Sequence, residues 1–309
     1  MQAVVIKSTG SWYTVKTESG KKLNCRIRGK FRMQGIKSTN PIVVGDHVIL
    51  KKEEDSYIIF ELKSRKNFIV RKSVNLSKQT HIIASNIDQA ILVVTIKSPQ
   101  TSTSFIDRVL VAAMSYSIDV VIIFNKIDLL NDDEKIQLNK LIKLYQKINY
   151  PCFSLSVLED DLNSLKEIMK KKVNVICGHS GVGKSTLLNM IQPDLEINTQ
   201  EISTQHQQGM HTTTFSEMHE LNFGAKIIDT PGIRGFGLVE IEKSDLSHYF
   251  PEFFALQADC KYHNCIHVNE PNCAVKKALQ KNEIAPSRYK SYLSMLDSKD
   301  DHYRTTKFD

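Results

Sequence analysis

Eight consecutive residues, Gly178-His179-Ser180-Gly181-Val182-Gly183-Lys184-Ser185, have the glycine and lysine spacing of a phosphate-binding loop, and Thr186 follows in the predicted helix. The glycines let successive backbone amides converge on one anion, which the helix N-terminus also faces. Lys184 is placed to reach the β- and γ-phosphates of a bound nucleotide, and Ser185 to ligate magnesium. Upstream, Asn125-Lys126-Ile127-Asp128 follows an apolar run. A carboxylate at Asp128 can accept two hydrogen bonds from N1 and the 2-amino group of guanine. Adenine offers no such donor pair, so the tetrapeptide predicts GTP over ATP. Ser156, with Val157, stands where a second base-contacting loop would lie.

Two further segments belong to the same chemistry. Asp229-Thr230-Pro231-Gly232 follows the apolar run ending at Ile228, so Asp229 is expected beside the magnesium. The Gly232 amide is expected to sense the γ-phosphate as the pivot of a second switch. Gly209-Met210-His211-Thr212-Thr213-Thr214 supplies the hydroxyl that a first switch closes on magnesium, with Thr213 the first choice and Thr212 next. Ile233 stands where many GTPases carry a water-orienting glutamine, which leaves His211 as the candidate catalytic residue through its imidazole. Apart from these, Cys260-x4-Cys265-x-His267-x5-Cys273 offers three thiolates and one imidazole, a closed tetrahedral shell for one structural zinc ion. Cys25, Cys152 and Cys177 read as buried apolar residues within strands.

Three kinds of sequence must position these groups. Residues 1–72 alternate apolar and polar residues in short runs over 3–7, 12–17, 22–29, 45–50 and 57–62, which predicts five strands and a small barrel of the oligonucleotide-binding (OB-fold) kind. Residues 73–239 alternate apolar strands (90–96, 119–124, 173–177, 225–228) with helical stretches (105–116, 132–147, 184–191), the grammar of a doubly wound α/β domain. Residues 240–309 read as a helical, aromatic region carrying the Cys/His set. The guanine motif comes about fifty residues before the phosphate loop, the reverse of the usual order, so the α/β domain reads as circularly permuted. Permutation is tolerated where the original termini lie close together and the new ends are exposed. It also leads the second switch directly into the Cys/His region.

Composition sets the bounds. A chain of 309 residues, 41% hydrophobic and 24% charged, is long enough for two or three domains and has no apolar run able to span a bilayer. Nothing at the start resembles an export leader, so a soluble cytoplasmic protein is expected, and six cysteines are too few for a disulfide scaffold. The net charge of +7 is uneven: sixteen Lys and Arg against six Asp and Glu through Lys72 give +10, leaving −3 for the rest. With Trp12, Tyr13, Phe31, Tyr57 and Phe60 among those charges, the barrel is expected to bind nucleic acid, the plainer alternative being a solvated basic surface.

These motifs in this order, between a basic barrel and the Cys/His set, resemble the ribosome small-subunit-dependent GTPase A (RsgA) family over nearly the whole chain. Supporting segments are Gly45-Asp46-His47-Val48, Arg65-Lys66-Asn67-Phe68, 83–88 and Asp107-Arg108. The resemblance implies a bacterial GTPase that binds the small ribosomal subunit and its rRNA late in maturation, is stimulated by it, and leaves on hydrolysis. It also implies that His211 matches the family's proposed catalytic histidine, although Met210 stands where the family usually has arginine. A monomer is expected. The competing reading is a nucleotide-gated placeholder on ribosomal RNA, in which hydrolysis is incidental.

Overall fold

The structure, a computed structural model, describes residues 1–10, 12–27, 41–53, 56–72, 80–195, 216–229 and 241–297. Its first part is β1 (Gln2–Ser8), β2 (Tyr13–Thr17), β3 (Lys22–Ile27), β4 (His47–Glu53) and β5 (Ser56–Leu62). These strands pair in the order β1-β2-β3-β5-β4, and β4 returns to β1 to close the barrel. Only β3 and β5 run parallel; the other pairs are antiparallel. The alternation that predicted the strands is also the burial pattern: Tyr13, Val15 and Thr17 of β2 face inward while Thr14 and Lys16 face out. Tyr13 is thus a core residue, 1% exposed, and not one of the surface aromatics among which the sequence placed it.

A hairpin of β6 (Phe68–Lys72) and β7 (Thr80–Ser85) follows, outside the strands that the alternation predicts. It crosses the boundary expected at 72/73. Next come β8 (Gln89–Val94), α1 (Thr103–Ser115), β9 (Asp119–Asn125), α2 (Asp132–Lys147), β10 (Cys152–Leu155), α3 (Asn163–Met169), β11 (Val173–Cys177), α4 (Lys184–Ile191), β12 (Glu217–Glu220) and β13 (Lys226–Asp229). The sheet order is β10-β9-β8-β11-β13-β12, parallel throughout except for β12 at its edge. Every residue of β8 is buried because helices cover both faces of a parallel sheet. One core unites β8 and β9 with α1 and α2, and a second packs α3 and α4 on the opposite face. The amphipathic stretch at 132–147 becomes α2, opened by a capping box in which Asn131 and Glu134 each accept the other's backbone N–H.

The barrel joins this sheet directly. Lys7 of β1 pairs with Glu217 of β12, so the two sheets are continuous. Beneath that junction Arg65 forks onto Asp46, Nε to Oδ1 at 2.6 Å and Nη2 to Oδ2 at 2.7 Å, with Asp46 fully buried. Ser85 of β7 donates to Asp46 Oδ1, and Asn67 donates to the Ile87 carbonyl while accepting its N–H. The C-terminal part contains α5 (Pro251–Phe254), α6 (Ala274–Gln280) and α7 (Pro286–Asp297), around a core that also includes Val111 of α1. Among the described residues no helix is long and apolar enough to cross a membrane.

Candidate functional site

The nucleotide motifs meet at the C-terminal ends of β8, β9, β10 and β11, where a doubly wound sheet binds its ligands. β11 ends at Cys177, the phosphate loop follows, and α4 begins at Lys184. Two of the loop's glycines are obligatory. Gly178 has φ +141°, and a Cβ there would stand 2.2 Å from the Val93 carbonyl oxygen; Gly183 has φ +101°, and its Cβ would meet Asn125 Nδ2 at 2.3 Å. Gly183 caps α4 without a side-chain acceptor, which leaves the first amides of the helix directed at an incoming anion. Ser185 is buried in the first turn, with Thr186 half-buried beside it. Lys184 Nζ lies within the loop's own curve, 2.9 Å from the Gly178 carbonyl and 2.5 Å from that of His179. Ser180 and Gly181 are exposed, and Val182 is buried in the core beneath them.

Asn125 ties three motifs together. Its Nδ2 donates to the Val182 carbonyl at 2.8 Å and its Oδ1 accepts from the Val157 N–H at 3.1 Å. Lys126, left-handed at φ 63°, sends its ammonium to the carbonyls of Ser98 (2.6 Å) and Gly181 (2.7 Å). That geometry leaves the Asp128 carboxylate exposed in the 3₁₀ turn Ile127–Leu129, beside the slot, with Ile127 half-buried against the core. Ser156 is buried, and its N–H donates to Asp160 Oδ2 at 2.6 Å. Asp160 escaped the sequence reading because a single acidic residue in a turn carries no spacing signal; only the fold brings it back onto the loop. Asp229 closes β13, two strands from β8 and next to β11, at the same edge of the sheet. His211, Thr212, Thr213 and Gly232 lie outside the described residues.

The second cluster is complete. The ligand atoms of Cys260, Cys265, His267 and Cys273 all lie within 4.8 Å of one another, and all but Cys260 are buried. His267 turns Nδ1 toward the thiols, 3.4 Å from Cys273 Sγ and 3.7 Å from Cys260 Sγ. Four zinc-bound atoms in a tetrahedron stand about 3.8 Å apart when Zn–S is ~2.3 Å, so the donor set fits the ion. Burial pushes the Cys265 thiol up to about 12 and holds the His267 imidazole below its usual range. Neutral imidazole is the form that ligates, and a cation among the thiols is what would release their protons. Tyr289 and Tyr292 fix the segment by donating to the carbonyls of His267 and Ile266. The other three cysteines sit in strands as expected, with burial raising their thiols to about 12, although Cys152 is half-buried and not fully enclosed.

On the barrel, Trp12 and Phe60 are 46% and 55% exposed. Each carries a cation: the Arg26 guanidinium lies 3.7 Å from the Trp12 ring centre, and Lys51 Nζ lies 5.8 Å from that of Phe60.

Comparison with known proteins decides the family. The models described as RsgA GTPase and RsgA N-terminal domain match residues 62–239 and 2–58. The chain belongs to the RsgA GTPase family. It is 56% identical to the small ribosomal subunit biogenesis GTPase RsgA of Flavobacterium johnsoniae, covering 99% of this chain and 95% of that protein. It is 52% identical to the one from Christiangramia forsetii, covering 100% and 99%. The crystal structure of YjeQ from Thermotoga maritima superposes with a TM-score of 0.78 at 36% identity, over 96% of each chain. YloQ, described as a circularly permuted GTPase, superposes with a TM-score of 0.74 at 31% identity, over 96% and 93%. RsgA membership accounts for the motif order. The base-recognition strand β9 precedes the phosphate-loop strand β11 in sequence, yet the two lie one strand apart in a GTPase sheet. Asp46, held by Arg65, also accepts from Ser85 of β7, which ties the barrel to the hairpin beside the GTPase sheet.

Proposed function

We propose that this chain hydrolyses GTP to GDP and phosphate on the small ribosomal subunit, assists that subunit's late maturation, and departs when the nucleotide is spent. The observation that carries the reading is the double hydrogen bond of Asn125, which holds the phosphate loop and the second base loop in register beside Asp128. In that frame Asp128 accepts from guanine, and Asn125, Lys126, Ile127 and Ser156 shape the base slot. The 178–183 backbone and Lys184 hold the phosphates, helped by the N-terminal amides of α4 at Ser185 and Thr186. Ser185, Thr213 and Asp229 would hold magnesium, which supplies positive charge for the β- and γ-oxygens when bound. Gly232 reads the γ-phosphate, and His211 orients the attacking water.

Cys260, Cys265, His267 and Cys273 would hold one structural zinc ion. The cation-backed rings of Trp12 and Phe60 support ribosomal RNA as the barrel's partner, because stacked rings and guanidinium planes accept unpaired bases. Three units divided near 72 and 239, a monomeric state and a cytoplasmic location complete the proposal. Competition binding tests the base assignment: GDP should displace a fluorescent guanine nucleotide at least about a hundredfold better than ADP, given the cost of an unpaired Asp128. Equal displacement would overturn it.

A further inference from the structure

None of the nucleotide motifs covers the segment from the end of β8 into α1, yet it packs on the phosphate loop at two places and shares a cation with it at a third. Pro99 Cδ lies 3.4 Å from the point where a Cβ on Gly181 would stand. The carbonyl of Ser98 shares the Lys126 ammonium with that of Gly181. Phe105 lays its ring over the His179 imidazole, with centres 3.7 Å apart and planes at 30°. Two residues further along the same helix, Asp107 is fully buried and accepts from Arg288 Nη1 of α7 at 2.8 Å and from the Tyr145 hydroxyl at 2.9 Å. Burial holds the Tyr145 phenol well above its usual range, so it stays a donor. Arg288, itself 1% exposed, also forks onto Glu252 and lies over the Phe250 ring.

Positions two apart on a helix point about 200° from one another. Phe105 and Asp107 therefore face opposite ways, one to the phosphate loop and the other to the Cys/His domain. We infer that Phe105 is a positioning residue for the phosphate loop, and that the Cys/His domain, by fixing α1 through Arg288, sets how tightly that loop holds a nucleoside diphosphate. A loop with glycines at 178, 181 and 183 has wide backbone freedom, and ordering it around phosphates opposes binding. A ring packed on His179 removes part of that freedom before the ligand arrives. Anything that shifts α7 shifts α1, and by linkage a diphosphate in the loop favours the docked Cys/His domain to the same extent.

The inference rests on the reading of the loop as a GDP site, and fluorescent-GDP titrations separate the two. If the unaltered protein fails to bind GDP, that reading falls and takes this one with it. If it binds, Phe105→Ala should weaken GDP about fivefold, within the range of measured site couplings, while Phe105→Tyr, which keeps the ring, restores affinity. The loss should appear in the GDP-to-GMP affinity ratio and leave the GDP-to-IDP ratio unchanged, because the 2-amino group is read at Asp128. The combined change Asp107→Asn, Glu252→Gln and Arg288→Met, which leaves neither carboxylate orphaned, should weaken GDP in the same sense and add little to Phe105→Ala. Unaltered GDP affinity in Phe105→Ala, or equal falls in both ratios, would overturn the positioning role. Full additivity of the two lesions would overturn the link to the Cys/His domain.

Discussion

The barrel and the Cys/His domain each meet the GTPase domain at a buried guanidinium–carboxylate pair, Arg65–Asp46 with Ser85 of β7 bonded to it and Arg288–Asp107, but the two joints differ in kind. At the barrel, Arg65 and Asp46 sit among backbone bonds: the Val43 N–H donates to Asp46, Arg65 donates to the Pro41 carbonyl, and β1 continues the sheet through β12. At the Cys/His domain the contact is made mainly by side chains on α1, Asp107 with Arg288 and Ser104 3.5 Å from Ser291, with Lys147 of α2 donating to the Glu283 carbonyl at 2.8 Å. A joint built of sheet and backbone moves as one body with what it holds. A joint made mainly on one helix lets the attached domain move with that helix, and α1 is the helix whose Phe105 touches the phosphate loop.

The largest effect that would sharpen this contrast is removal of a metal ligand. Cys265→Ala should abolish zinc binding, measured by native mass spectrometry, and unfold the C-terminal region, since a structural zinc site contributes ~10 kcal/mol or more. The barrel and GTPase domain should still bind GDP. Retained zinc and an unchanged melt would refute the ligand assignment. Next is Gly45→Val at the barrel joint. Gly45 has φ +96°, and a Cβ there would stand 2.0 Å from the Ser85 carbonyl oxygen. A loss of about 3 kcal/mol or more is expected, with the barrel and GTPase domain losing structure in a single transition. Two separate transitions would show that the barrel is not continuous with the sheet.

Arg288→Met alone leaves the Asp107 carboxylate buried without its cation and should cost ~3 kcal/mol. That loss should appear first as proteolysis within 241–297, before the GTPase domain opens; simultaneous cleavage throughout would break the distinction between the joints. The smallest effect belongs to Lys7→Ala. The Lys7–Glu217 pair at 2.7 Å is about two-fifths exposed on each side. An exposed pair is worth only ~0.5 kcal/mol after solvent screening, so the melt should shift by a degree or two at most.

What was legible in the sequence follows the same division. The phosphate loop, the guanine motif and the Cys/His set are local strings whose spacing is itself the chemistry, and the described members of each string lie together where the string implied. Strands with strong alternation were legible too, because one buried face imposes period two on the residues. The pairings of Asp46 with Arg65 and of Asp107 with Arg288 were not: 19 residues separate the first pair and 181 the second, and no local pattern marks a partner that far away. The hairpin of β6 and β7 was missed for a related reason, since its pairing lies across the stretch where the barrel grammar gives way to α/β grammar. Phe105 read only as the first residue of a helical stretch, and the packing of its ring on His179 depends on how α1 passes over the loop.

The central claim is that this permuted GTPase acts on the small ribosomal subunit, and turnover measures it most directly. GTP hydrolysis should be slow for the protein alone and rise at least about tenfold with purified small subunits, as expected when a partner supplies or orders transition-state contacts. The same rate with and without subunits would contradict the account.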